Sequence, residues 1–165
     1  MAETPLILIS AMGHDRIIGA RDRMPWRVPE EFAQFLRFVE GNVVLMGRKS
    51  YEIFDKDLKA ARVVVVSRSG ANFPGVAVAM DVPTAVAIAK SHGAPVFCAG
   101  GAQVYAGTMP LADELWLSFI AESEIERSTP GDAFFPEIDD SVWFVAKTET
   151  HPRFEFRVYR RRPSV

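Results

Sequence analysis

Cysteine is nearly absent from this chain of 165 residues: Cys98 stands alone. One thiol excludes a disulfide framework and a thiolate zinc site. Its neighbours in Pro95-Val96-Phe97-Cys98-Ala99 are apolar, so a buried, unreactive thiol is expected. A basic excess is also lacking. The 19 Lys and Arg face 21 Asp and Glu, for a net charge of −2, which argues against a nucleic-acid partner. The first residues, MAETPLILISAMG, carry no positive segment, and their apolar run is too short to span a bilayer. No membrane partner is expected, and the cytoplasm is the expected compartment. There is no internal repeat, no low-complexity tract, no linker, no GxGxxG and no Walker-type phosphate loop. His14, His92 and His151 are scattered, so each is expected on a solvated surface and no metal site is suggested. The run Arg160-Arg161-Arg162 is expected to end a solvated edge strand. The length suits one domain, residues 1–165, with one core.

What is present alternates between strand and helix patterns. Pro5–Met12, Val43–Met46, Arg62–Ser67, Val76–Met80, Pro95–Ala99 and Leu115–Ala121 are short apolar runs suited to buried strands. Pro29 opens a helix whose Phe32, Phe35, Leu36 and Val39 fall at helical spacing, and Gly41 ends it. Lys49–Phe54 forms a short helix. Asp81 with Pro83 opens another that closes at Gly93, and a further helix runs from Gly100-Gly101 through Tyr105. In the tail, Phe154, Phe156 and Val158 alternate with Arg153, Glu155 and Arg157; with Val142–Thr148 this predicts an antiparallel hairpin. The fold class is α/β: a mainly parallel sheet with helices on both faces and an antiparallel edge at the C-terminus.

In such sheets ligands bind beyond the carboxyl ends of the strands. Those ends carry Gly13 with the Met24-Pro25-Trp26 loop, then Gly47-Arg48-Lys49-Ser50, then Ser67-Arg68-Ser69, then Gly100-Gly101. Two glycine turns and two arginines on one edge suit a phosphorylated dinucleotide, with backbone N–H groups for a pyrophosphate and guanidinium groups for an extra phosphate. The glycines alone read equally well as tight strand-to-helix turns. Glu31 lies in the first turn of the Pro29 helix, four residues before Phe35, so it borders the apolar stripe while Glu30 points elsewhere. A first-turn acid commonly only complements the helix dipole. The other reading is a desolvated carboxylate awaiting a flat heterocycle with an amidine-like edge, with Phe32, Phe35 and Phe54 as walls.

Five segments in order are Asp15-Arg16-Ile17-Ile18-Gly19, Met24-Pro25-Trp26, Val44-Leu45-Met46-Gly47-Arg48, Ala99-Gly100-Gly101 with Val104-Tyr105, and Gly131-Asp132-Ala133-Phe134-Phe135-Pro136. Together they resemble the dihydrofolate reductase family from Leu8 to about Arg161. The resemblance implies a single-domain fold with a mainly parallel eight-stranded sheet, usually monomeric. It implies NADPH-dependent reduction of 7,8-dihydrofolate to 5,6,7,8-tetrahydrofolate, with hydride transfer to C6 and protonation at N5. Glu31 stands at the family's single active-site acid, supported by Ser118. Met24 and its loop close over the nicotinamide, and Trp26 orders a water near the acid. Ile9, Ala11, Phe32, Phe35, Phe54 and Leu58 line the substrate site, and Ala11 with Ile18 and Gly19 meets the nicotinamide side. Gly47, Arg48, Lys49 and Ser50 serve the phosphates, with Ser67, Arg48 and Arg68 near the 2′-phosphate. Gly100, Gly101, Ala102, Gln103, Val104 and Tyr105 form the rest of the cofactor site, with a cis peptide between the two glycines.

The chain also departs from the family pattern. A stretch like Arg-Pro-Leu-Pro-Gly-Arg, whose last Arg grips the substrate's glutamate, is replaced by Lys56-Asp57-Leu58-Lys59-Ala60-Ala61-Arg62. In gap-free register Ala61 takes the Arg position and Arg62 comes one residue late, which on a strand turns it to the other face. Either a local gap restores Arg62, or the grip is missing and a pterin with another tail, as in dihydromethanopterin reductases, becomes an alternative substrate. Gln103 stands where Arg or Lys is frequent, and Ala133 where Thr or Ser is. The riboflavin-pathway reductases share the architecture, but Met24-Pro25-Trp26 and Glu31 speak against them. A non-catalytic pterin- or NADPH-binding module is the remaining alternative.

Overall fold

In a computed structural model the chain is described at residues 4–19, 24–58, 61–70, 72–126 and 131–163. Residues 20–23 of the loop before Met24, and Lys59 and Ala60 of the departing stretch, therefore lie outside the described residues. The strands are β1 (Leu6–Met12), β2 (Ile17–Gly19), β3 (Val43–Gly47), β4 (Arg62–Val66), β5 (Ala77–Ala79), β6 (Val96–Cys98), β7 (Glu114–Ile120), β8 (Ala133–Phe134), β9 (Trp143–Thr150) and β10 (Phe154–Arg161). The helices are α1 (Pro29–Val39), α2 (Arg48–Phe54), α3 (Val82–Lys90) and α4 (Ala102–Thr108).

Eight strands form one sheet in the order β5-β4-β3-β6-β1-β7-β10-β9. All pairings are parallel as far as β7, and β10 joins antiparallel to both β7 and β9. Period-two alternation sorts side chains to the two faces. Leu6, Leu8, Val43, Leu45, Val64, Leu115 and Leu117 share one core with Val86, Ala89, Val104 and Tyr105 of α3 and α4. Ile7, Ile9, Val44, Met46 and Phe97 pack on the other face with Val39, Phe35 and Phe38 of α1. Phe154, Phe156 and Val158 of β10 extend the α1 side with Trp26, Val28 and Ile120, as the tail's alternation predicts.

The short pair β2–β8 was not expected from the sequence. Ile17 faces Phe134 and Gly19 faces Ala133, and this small sheet ties the Asp15–Gly19 and Gly131–Pro136 segments together. α4 also runs beyond Tyr105, because the Thr108 hydroxyl donates to the Val104 carbonyl at 2.7 Å and Gly107 lets the helix pack on Val82.

Two expectations about charged residues need correction. Arg160–Arg162 are exposed, as expected, but the strand they end is not the edge: β9 is the edge, and β10 lies between β9 and β7. The Arg161 guanidinium caps the carbonyls of Ala112, Met109 and Pro110 and lies over the Trp143 ring, while Arg162 donates to the Asp140 carbonyl. Satisfying orphan carbonyls accounts for Arg161 and Arg162, while Arg160 lies 4.0 Å from a Glu114 carboxylate oxygen. His151 is half-buried, its side chain 33% exposed, and not fully solvated. Its ring stacks on Phe154 at 4.3 Å, with Nε2 3.5 Å from a Glu149 oxygen. His14 and His92 are exposed.

Cys98 is buried, and the Thr108 hydroxyl sits 3.4 Å from its sulfur. Burial pushes its thiol up to about 11, so the thiolate is scarce at neutral pH. Among the described residues no group of His, Cys, Asp and Glu is arranged to hold a metal, and no helix is long and apolar enough to cross a membrane.

Candidate functional site

The α1 face of the sheet gathers one group of residues. Ile9 and Ala11 of β1 project from this face, and Ala11 is in register with Ser118 of β7. Alternation along β7 puts Leu115 and Leu117 in the opposite core and Ser118 on the α1 side, where it is buried. α1 begins at Pro29, whose fixed φ suits the first helical position. That start brings Glu31 over Ser118.

Glu31 is 8% exposed and is the only charged side chain buried among the described residues. Desolvation pushes its carboxyl from the ordinary 4.5 up to about 7, while a hydrogen bond with the Ser118 hydroxyl pulls it down. No cation sits among the causes of that shift, so the burial of this charge is uncompensated. Glu30 differs completely. It is exposed and accepts two hydrogen bonds from the Arg153 guanidinium, one at 2.7 Å, which hold its carboxyl below the usual range.

Beside Glu31 the Phe32 ring lies 5.9 Å from Phe35 and 5.9 Å from Phe54, in stacked orientations. All three are half-buried, leaving ring faces open to a flat ligand. Met24 packs against the cluster that holds Trp26, Val28 and Ile120. Trp26 is buried and pairs with Ile125, and the Glu126 N–H donates to the Pro25 carbonyl at 2.7 Å. Pro25 and Trp26 are thus tied to Ile125 and Glu126, in the segment that follows β7.

The second group lies along the carboxyl edge of the parallel strands. β3 ends at Gly47, whose N–H donates to the Gly100 carbonyl at 2.8 Å. The Gly100–Gly101 peptide is cis, and Gly100 has φ +102°, a conformation that excludes side chains. A Cβ on Gly47 would lie 3.2 Å from Val104, so glycine permits this close approach. α2 and α4 start side by side here, capped by Gly47 and Gly101, neither of which has a side chain to satisfy the first-turn N–H groups. Ser50 faces Gly101, Lys49 is exposed, and Arg48 forms an ion pair with Glu52 at 2.8 Å. Ser67 is buried beside Ser69, with Arg68 exposed between them. Ala102 and Gln103 open α4, Gln103 being exposed; Tyr105 is buried, donating to the Ile9 carbonyl at 2.7 Å. Ile18 packs on the α3–α4 core, and Gly19 accepts from the Asp132 N–H at 3.0 Å. The donor set of this edge, with glycine backbone, free first-turn N–H groups and guanidinium groups, fits a dinucleotide with an additional phosphate.

Arg62 does not join either group. It lies on the α3 face of β4, with its guanidinium 3.3 Å from His92 Nδ1. Ala61, one residue earlier, packs on the α1 side near Leu58 and Phe35. Arg37, Glu40 and Asp57 were not singled out from the sequence, yet with Leu36, Leu58 and Ala61 they line a groove next to the phenylalanines. Each is an ordinary surface residue by pattern, and only the packing of α1 against residues 55–58 brings them together. The buried Gln34 is a second such residue.

Comparison with known proteins agrees with this geometry. A family model described as dihydrofolate reductase matches residues 5–161. Dihydrofolate reductase type A13 of Escherichia coli is 37% identical over 146 residues, covering 88% of this chain and 86% of that protein. Dihydrofolate reductase of Neisseria gonorrhoeae is 39% identical over 140 residues, covering 84% and 83%. The structure of dihydrofolate reductase from Enterococcus faecalis complexed with NADP(H) and RAB-propyl superposes with a TM-score of 0.82 at 25% identity, covering 96% of this chain and 97% of that one.

Proposed function

The chain belongs to the dihydrofolate reductase family, and from that premise we propose how its own residues divide the work of the reaction. The protein is an NADPH-dependent oxidoreductase that reduces 7,8-dihydrofolate to 5,6,7,8-tetrahydrofolate. NADPH, when bound, supplies the hydride that reaches C6 of the pterin. Everything else falls to the protein: alignment of two rings, exclusion of water and delivery of a proton to N5.

Glu31 carries the proposal, because it is the buried charge that needs a partner. It orients the pterin by accepting from the 2-amino group and ring N3, and Ser118 fixes the carboxylate's direction. Phe32, Phe35, Phe54, Leu58, Ile9 and Ala11 wall the ring. A carboxylate holding that edge of the ring cannot also touch N5, so it acts by orientation and electrostatics while the N5 proton arrives through water. Trp26 orders that water, and Met24 with its loop closes the site against bulk solvent. On the cofactor side, Gly47, Arg48, Lys49 and Ser50 hold phosphates; Ser67 and Arg68 meet the 2′-phosphate. Ile18, Gly19 and the segment from Gly100 to Tyr105 complete the site.

NADPH oxidation in the presence of 7,8-dihydrofolate tests the assignment directly. Binding of NADPH with no turnover of any dihydropterin would replace it with a binding module. The cofactor roles have their own test in Arg68→Ala. A guanidinium–phosphate contact of about 1.5–3 kcal/mol predicts a KM for NADPH raised about 10- to 100-fold, with NADH kinetics unchanged. Equal efficiency with NADPH and NADH in the unaltered enzyme would remove Arg48 and Arg68 from the 2′-phosphate.

A further inference from the structure

α1 starts without a side-chain cap. Its N-cap is Val28, which has no polar side chain, and the Glu31 and Phe32 N–H groups share the Val28 carbonyl at 3.0 and 3.2 Å. α3 is built differently, with the Asp81 carboxylate accepting from the Thr84 N–H at 2.8 Å. An uncapped first turn frays more readily, and in α1 that turn carries Glu31. The neighbouring Glu30 supplies the missing anchor, because its carboxylate accepts two hydrogen bonds from Arg153. A two-pronged grip fixes direction as well as distance. Arg153 itself is held on several sides. It lies in the turn between β9 and β10, where the His151 N–H donates to the Phe154 carbonyl at 2.9 Å and the His151 ring stacks on Phe154. Phe154 is buried in one cluster with Trp26, Val28 and Ile120. The Arg153 carbonyl accepts from the Ala121 N–H at 2.9 Å, just past β7, and its guanidinium lies 3.8 Å from a Glu124 oxygen. β7 carries Ser118, the hydrogen-bond partner of Glu31. One side chain thus joins the turn that bears the acid to the strand that bears its hydroxyl.

Resting on the dihydropterin-reductase reading above, we propose that Arg153 is a positioning residue for Glu31: through Glu30 it holds the first turn of α1 against the end of β7, so that the Glu31 carboxylate stays on Ser118 and away from bulk water. The Arg153 and Glu30 side chains are 38% and 41% exposed, so screening keeps the effect modest.

The test removes the pair without changing net charge, in the double variant Glu30→Gln with Arg153→Gln. Neutralising both partners leaves no new charge beside Glu31, so any change reports the lost tie. Water that reaches Glu31 offsets the desolvation that raises its ionisation. The inflection of the single-turnover rate, near pH 7 in the native enzyme, should therefore move acidward by about half a pH unit or more. Hydride transfer should slow, and KM for dihydrofolate should rise, each about two- to fivefold, with KM for NADPH unchanged. The exchanged pair, Glu30→Arg with Arg153→Glu, should return the inflection and KM most of the way to native. A neutral double variant whose inflection and dihydrofolate KM match the native enzyme, or whose sole change is a lower Tm, would overturn the inference while leaving the reductase assignment standing. An exchanged pair no better than the neutral one would do the same. Failure of the native enzyme to reduce dihydrofolate would overturn both.

Discussion

Glu31→Gln should slow hydride transfer about a hundredfold at pH 8, within the range for loss of a group that assists proton transfer. The loss should be smaller at pH 5, and the reason lies in what Glu31 does. Its negative charge, buried beside Ser118 with no cation opposite, favours a proton on the ring it holds. Acidic solvent supplies that proton to the substrate directly, so the Gln variant recovers as pH falls. The native enzyme should show an inflection near the carboxyl's own ionisation at about 7, and the variant should lack it. Single-turnover rates across pH 5–9 measure this. A defect of equal size at every pH would contradict the electrostatic role.

The same substitution should stabilise the protein at high pH. The folded state holds the Glu31 proton up to about 7, against 4.5 for the ordinary carboxyl. Between those values the native state binds more protons than the unfolded one, so stability falls as pH rises. The stabilising contribution is fully present below pH 4.5 and is lost as pH passes 7. The difference corresponds to about 3 kcal/mol above pH 7, or a rise in Tm of the order of 6–10 °C for the Gln variant at pH 8. At pH 4 the two proteins should melt together. A site that is poorer at its reaction and more stable without its acid is the signature of a charge kept for function.

Phe135→Ala is expected to cost about 3–5 kcal/mol and lower Tm by about 10 °C or more. The Phe135 side chain is 1% exposed, and its ring lies 4.9 Å from Tyr105. Its backbone N–H donates to the Arg16 carbonyl at 2.8 Å, and its carbonyl accepts from the Arg16 guanidinium at 3.0 Å. The ring therefore joins the β2–β8 pair to the core at the point where Tyr105 abuts Gly100. Emptying that space should loosen the glycine turn as well as the fold, raising KM for NADPH severalfold with little change in KM for the pterin. Denaturant melts and cofactor titration check the two parts. A variant within about 1 kcal/mol of the parent would show that the segment is not anchored through this ring.

What is legible in the sequence depends on periodicities that a chain cannot hide. Glu31 and Phe35 fall on one side of α1 by helical spacing. The two faces of β4 separate Ala61 from Arg62 by strand alternation, and the structure places them so. The glycine turns after β3 and β6 were legible because strand-to-helix turns there require small residues. The illegible parts depend on long-range partners. β2 and β8 have three and two residues, too few to show alternation, and they exist because residues far apart in sequence meet. The helix read from the sequence through Tyr105 continues to Thr108, with Gly107 admitting Val82. The Arg160–Arg162 run looks like a surface patch until the carbonyls of residues 109–112 are placed beneath it. Arg37, Glu40 and Asp57 carry no pattern at all before the groove exists.

The most direct test is a single-turnover measurement with NADPH or its 4R-deuterated form, 7,8-dihydrofolate, and the native enzyme beside Glu31→Gln. The expected result is a primary deuterium isotope effect on reduction, a native rate sustained as pH rises through about 7, where Glu31 ionises and its charge holds the proton on the ring, and a variant whose rate climbs steadily toward acid without that inflection. Reduction that proceeds with the same pH profile in both proteins would contradict the claim that Glu31 is the charge around which the site is built.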